Sequence, residues 1–145
     1  MSAAIRINKD CFKSIASTIA ILPPETGGML GYKQNNHICA FVFDSNSKSS
    51  EEFYIPNVGF LNAKLIEWRK KSISFGGFIH SHLRDRKLLS NSDIEYSVKV
   101  MSSLNIDKIL MIVVDTDTYN YGITPYEITY KKKISVKKIR LIISD

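Results

Sequence analysis

The chain of 145 residues contains two cysteines, Cys11 and Cys39, too far apart for a Cys-x-x-Cys pair and too few for a disulfide-dense scaffold. That usage excludes a thiolate zinc finger and a stapled secreted domain, and free thiols of this kind imply a reducing compartment, the cytoplasm. Long apolar runs are missing as well. Ile109 to Val114 is far short of the roughly 20 residues that cross a bilayer, so no membrane span is expected. The stretch Ile15 to Leu22 resembles the apolar part of a leader peptide but runs into Pro23-Pro24-Glu25 and offers no small-x-small cleavage site. No repeat, linker or low-complexity tract divides the sequence, so residues 1–145 read as a single domain.

Hydrophobic residues make up 44% of the chain, enough for a core of its own. Lys and Arg outnumber Asp and Glu by 20 to 14, a net charge of +6. Part of that excess sits in Lys131-Lys132-Lys133, Lys137-Lys138 and Arg140. Lysines solvated on the outer face of a late strand account for it. A nucleic-acid surface is the alternative, but no aromatic residues interleave with these lysines to stack on bases.

Periodicity orders the elements. Ile5 and Ile7 alternate with polar neighbours in a short first strand, and Phe12, Ile15, Ala16, Ile19 and Ala20 keep helical spacing up to Pro23-Pro24. Gly27 to Tyr32 and Ile38 to Phe43 read as a hairpin around Asn35-Asn36. Asp44 to Glu52 is a polar loop, and Phe53 to Ile55 resumes an extended pattern. A second helix from Asn57 carries Val58, Leu61, Leu65 and Trp68 on one side and closes on Arg69-Lys70-Lys71. Ile73 to His82 is a strand, Leu83 to Leu89 a charged loop, and Ser90 caps a third helix that buries Ile94, Val98, Met101 and Leu104. Ile109 to Val114, between Asp107 and Asp115, reads as a strand buried on both faces. Tyr121 to Tyr130 and Ile134 to Ile143 add extended segments at a sheet edge. Strands and helices so mixed predict an α/β sandwich, a central mixed sheet with flanking helices.

The chemistry is concentrated in His80-Ser81-His82, seven residues of loop, then Ser90-x-x-Asp93. On a strand, positions i and i+2 project from one face, so both imidazoles can reach one ion. Asp93, in the first turn of the next helix, supplies a carboxylate from the side. Two His and one carboxylate leave a fourth position for water, the arrangement of a catalytic zinc rather than a closed structural one. Zinc lowers the pKa of its water from about 15.7 towards ~7. Glu25, in a turn leading into a strand, is the candidate general base, and Ser90 a candidate donor to the oxyanion. Taken singly, each residue has an ordinary reading: Ser90-x-x-Asp93 is a capping box, the histidines a half-buried pair, Glu25 a loop acid, Gly27-Gly28 a turn or bulge. Their joint occurrence at these spacings sets those readings aside. His37, beside the hairpin turn, reads as a surface residue.

Glu25-Thr26-Gly27-Gly28-Met29-Leu30-Gly31, Gly77-Phe78-Ile79-His80-Ser81-His82 and Ser90-Asn91-Ser92-Asp93 resemble the JAB/MPN metallopeptidase family with its JAMM motif, and most of all its compact prokaryotic branch. The resemblance covers nearly the whole chain. It implies a cytidine-deaminase-like α/β/α sandwich with a single catalytic Zn2+ held by His80, His82 and Asp93. It further implies Glu25 as base and Ser90 as stabiliser of the tetrahedral intermediate. The implied reaction is hydrolysis after the C-terminal glycine of a ubiquitin-like protein, in the company of E1-like and E2-like enzymes and, in some relatives, antiphage defence. Leu83 departs from the family, which usually has Pro after the second His. The competing expectation is an MPN-type binding scaffold or a RadC-like DNA-associated protein without peptidase activity. Such a scaffold more often lacks a ligand or the Glu, and this chain lacks neither.

Overall fold

The computed structural model describes residues 3–20, 25–34, 36–45, 56–83, 89–116 and 121–144, with the side chains of Leu83 and Thr116 left aside. Pro23-Pro24, the extended reading of Phe53 to Ile55, and the interior of the Asp44–Glu52 and Leu83–Leu89 loops lie outside them.

β1 (Ala4–Asn8) buries Ile5 and Ile7 and ends on Asn8, whose Oδ1 accepts the Cys11 amide at 2.8 Å and caps α1 (Lys9–Ala16). The apolar stripe predicts a helix through Ala20, but the helix stops at Ala16. The hydroxyls of Ser17 and Thr18 both donate to the Ser14 carbonyl, at 3.1 and 2.7 Å, while the amides of Thr18 and Ala20 turn to Ile15 O. Side-chain competition for a helical carbonyl ends the regular ladder. Ile19 and Ala20 are buried all the same, so the periodicity read burial correctly and backbone incorrectly.

Cys11 and Cys39 are free, as expected. Burial, with lesser contributions from Cys39 and Asp10, pushes the Cys11 thiol up to about 11. Its thiolate is therefore scarce at neutral pH, and alkylation of Cys11 by iodoacetamide should rise about tenfold per pH unit from pH 8 to 10. Mass-spectrometric labelling of Cys11 against pH checks this; a flat profile would contradict it.

β2 (Gly27–Gln34) and β3 (His37–Phe43) form the expected hairpin, with Asn36 in the left-handed region at φ 63°. α2 (Val58–Lys70), capped by Asn57, buries Leu61 and Trp68. β4 (Ser74–Leu83), α3 (Asn91–Leu104), β5 (Lys108–Thr116) and β6 (Tyr121–Tyr130) follow, then β7 (Ile134–Lys138) and β8 (Arg140–Ser144). The eight strands form one mixed sheet in the order β7-β6-β5-β4-β2-β3-β1-β8. At Gly77 a Cβ would lie 1.8 Å from Leu110 O, so the β4–β5 contact excludes any side chain there.

Alternation along the central strands sorts two apolar clusters. Leu30, Ile79, Ile112 and Val114 join Ile15 of α1, whereas Met29, Phe78 and Met111 join Leu61 and Trp68 of α2 and Met101 of α3. Helices therefore pack on both faces of the sheet.

The last extended segment departs from expectation. Residues before Ile139 pair antiparallel with β6, whereas residues after it pair parallel with β1. At the switch, the Ile139 amide donates to Pro125 O at 3.0 Å and the Arg140 amide to Ala3 O at 3.1 Å. One segment thus joins both edges of the sheet, which curls round to meet it. His37, read as a surface residue, is half-buried, because β8 brings Ser144 Oγ within 3.3 Å of its Nε2. The lysines from Lys131 to Lys138 are exposed, as a solvated outer strand requires.

Candidate metal centre

β4 presents Phe78, His80 and His82 to the face that carries α2 and α3, and Ile79 and Ser81 to the other. His80 and His82 are deeply buried, and their Nε2 atoms converge to 2.8 Å with the ring planes at 66°. α3 packs on the same face through Met101 and delivers Asp93 from its first turn. Asp93 Oδ1 lies 3.1 Å from His80 Nε2, and Oδ2 lies 3.4 Å from His82 Nε2.

The ordinary reading of Ser90-x-x-Asp93 holds at the same time. Ser90 Oγ accepts the Asp93 amide at 3.1 Å, and Asp93 Oδ2 accepts the Ser90 amide at 3.0 Å, a complete capping box. The cap fixes the carboxylate at the point where it meets both imidazoles. Burial works to raise the Asp93 pKa, but hydrogen bonds from His80 and His82, the charge of His80 and the Ser90 amide outweigh it and hold the carboxyl well below the usual range. Ser90 uses an oxygen lone pair in the cap, so its O–H remains available as a donor.

Glu25 lies in the turn before β2. It is buried, with Oε1 3.8 Å from His82 Nε2, and it forms with His80 and His82 a group whose ligand atoms lie within 4.8 Å of one another. The distances divide the two acids: Asp93 touches both imidazoles, whereas Glu25 stands further off one of them.

The donor set suits zinc. Tetrahedral zinc with Zn–N near 2.0–2.1 Å sets its donors about 3.3 Å apart. Asp93 offers a different oxygen to each imidazole, at 3.1 and 3.4 Å, and the imidazole nitrogens, at 2.8 Å, stand closer together than that spacing. Two imidazoles with a carboxylate are a donor chemistry that zinc accepts. The sequence-predicted residues Glu25, His80, His82, Ser90 and Asp93 are thus brought to one end of the sheet.

Sequence reasoning missed Ser81. Fully buried between the two histidines and facing the other side of β4, it accepts the Thr26 amide on Oγ at 3.0 Å, while its own amide donates to Thr26 O at 2.8 Å. Both main-chain groups of Thr26 are therefore pinned to the strand that carries the histidines, and Glu25 is the next residue. Its position in His-x-His was the signal available. Ser81→Ala leaves the Thr26 amide without that acceptor and should lower stability by about 1–3 kcal/mol. Denaturant unfolding measures this; an unchanged midpoint would remove Ser81 from the support of Glu25.

No protein-family model matches the chain, and no curated protein matches it. The architecture is shared with solved structures. The chain is similar to protein DSY2949 from Desulfitobacterium hafniense, solved in solution as a structural-genomics target, at a TM-score of 0.74 and 15% identity over 97% of this chain and 93% of that one. At that identity the likeness speaks for the fold alone, a mixed α/β arrangement, which in the described residues of this chain comprises a curled eight-stranded sheet and three helices.

Proposed function

We propose that the chain is a zinc-dependent peptidase of the JAB/MPN family, with a JAMM-type centre on a cytidine-deaminase-like α/β/α sandwich. Its reaction is hydrolysis of the isopeptide or peptide bond after the C-terminal glycine of a ubiquitin-like protein. The observation that carries this reading is the meeting of three separate segments at one point: Glu25 ahead of β2, His80 and His82 on β4, and Asp93 on α3. E1-like and E2-like enzymes and a cytoplasmic setting belong to the same proposal.

His80, His82 and Asp93 would hold the zinc. Zinc bound there supplies a Lewis acid and brings the pKa of a bound water towards ~7. Glu25, with Oε1 3.8 Å from His82 Nε2, takes the water's proton and hands it to the leaving amine. Ser90 donates its hydroxyl proton towards the oxyanion as the carbonyl is attacked. Burial of the centre keeps bulk water from competing for these groups.

A DNA-binding role would draw on Lys131 to Lys138. Those residues pair with or follow the Tyr126–Tyr130 half of β6, whereas the centre adjoins the end of β5 that pairs with Tyr121 and Gly122. The lysines and the centre therefore lie towards opposite ends of the sheet.

The test is a fusion of a candidate ubiquitin-like protein to a reporter, with the terminal glycine intact or replaced by leucine, with and without a chelator. Cleavage directly after the glycine, abolished by chelation and strongly reduced by leucine, is expected because a bulky residue would crowd the attacking water and Ser90. Equal cleavage of both fusions, or cuts at scattered sites, would refute a tail-specific peptidase.

A further inference from the structure

Asp115 is a buried acidic residue beside the centre that the mechanism above does not use. It is 5% exposed, as deep as the histidines, yet its side chain makes no hydrogen bond or ion pair among the described residues. Its oxygens are not among the fully enclosed unpartnered atoms, so the little surface the residue keeps reaches its carboxylate, where a small ligand can meet it. The fold also leaves room for it. At Gly122, its partner on β6, a Cβ would lie 2.7 Å from Asp115 Oδ1 and 3.3 Å from Cγ and Oδ2, so the missing side chain is the space the carboxylate occupies.

On its other side Asp115 pairs with His82 in the parallel β4–β5 register, and the two side chains share a face of the sheet. A strand spacing of about 4.8 Å separates them. Asp115 is outside the Glu25–His80–His82 donor group, and one carboxylate is a poor site for a divalent ion, which wants several ligands. It suits a monovalent cation with hydrogen-bond donors, and a primary ammonium is the compact group of that kind.

We propose that Asp115 is a binding site for a primary ammonium group beside the metal centre. In use, which rests on the peptidase reading, this is the amine side of the scissile bond. Glu25 stands on the β2 flank of β4, so an acyl tail lying on that flank places the departing amine over β5. Hydrolysis breaks the C–N bond, puts the water's hydroxyl on the acyl carbon, and passes its proton through Glu25 to nitrogen. The amine leaves with a further proton given up by the new carboxylic acid, so the products are carboxylate and ammonium. Asp115 receives that ammonium, the end of a lysine side chain when the bond is an isopeptide.

The probe is n-butylammonium, with n-butanol as its neutral counterpart, titrated into the 145-residue chain while the Gly122 and Asp115 amides are followed by NMR. Saturable shifts with butylammonium, absent with butanol and weakened at least about tenfold in Asp115→Asn, are expected. Gly122→Ala, which displaces the carboxylate without removing it, should weaken binding in the same way and serves if Asp115→Asn misfolds. Equal shifts with butanol, or unchanged binding in both variants, would overturn the site. Because this readout needs no turnover, ammonium binding without fusion cleavage refutes the peptidase reading alone. Cleavage without ammonium binding refutes the site alone.

Discussion

Glu25→Gln should lower turnover of a glycine-terminated fusion by about 100- to 10,000-fold, the range general acid–base catalysis supplies, and should leave zinc content unchanged. The substitution keeps the shape of the side chain and removes its capacity to take a proton. Two features separate this outcome from simple loss of the metal. Glu25 Oε1 is 3.8 Å from His82 Nε2, further than either Asp93 contact, so in the proposed reading it stands outside the zinc ligands. Its main chain is anchored through Thr26 to Ser81, so the turn stays in place when the carboxylate is neutralised. Metal analysis and kinetics on one preparation give the answer. Loss of zinc along with activity would make Glu25 a ligand, and retained turnover would remove it from the mechanism.

The double substitution His80→Ala, His82→Ala should abolish both zinc binding and activity. In the proposed reading these residues supply two of three protein ligands, and Asp93 alone would not hold the ion at ordinary concentrations. Wild-type protein purified without chelator should carry about one zinc per chain, and the variant none. Full retention of zinc by the variant, or a wild type without any, would place the centre elsewhere or deny it. The same variant empties a crowded, buried point where two imidazoles and a carboxylate meet, so circular dichroism is needed to show that the fold survives.

Most of the architecture is legible because burial and periodicity agree. Met29 and Leu30, or Phe78 and Ile79, alternate between two clusters as a sheet covered on both faces demands. The donor set is legible for a different reason: strand period and helix capping are local rules, and His80, His82 and Asp93 obey both. What was hidden is of two kinds, a local competition for a carbonyl and pairing between distant segments. Nothing local says that Ser17 and Thr18 will take the Ser14 carbonyl rather than continue the helix, since serine and threonine sit in many helices. Ile134 to Ile143 reads as one strand, and only the positions of β6 and β1 reveal that it serves two. Asp115 reads as the polar flank of an apolar run; its lack of a partner becomes visible only once Gly122 and His82 stand on either side of it.

The segment that closes the sheet has a kinetic meaning as well. Pairing Ala4 with Arg140 joins residues from nearly opposite ends of the sequence, so the entropic cost of that contact is met late, after the intervening strands are ordered. The β2–β3 hairpin and the strands around β4 need no such closure and can form first. Until the final strand docks, β1 and β6 each present unpaired main-chain groups, which is where an incompletely folded chain is most open to edge-to-edge association. Folding should therefore show a slow last phase sensitive to changes at Ile139 and silent to changes in the hairpin, with aggregation competing mainly during that interval.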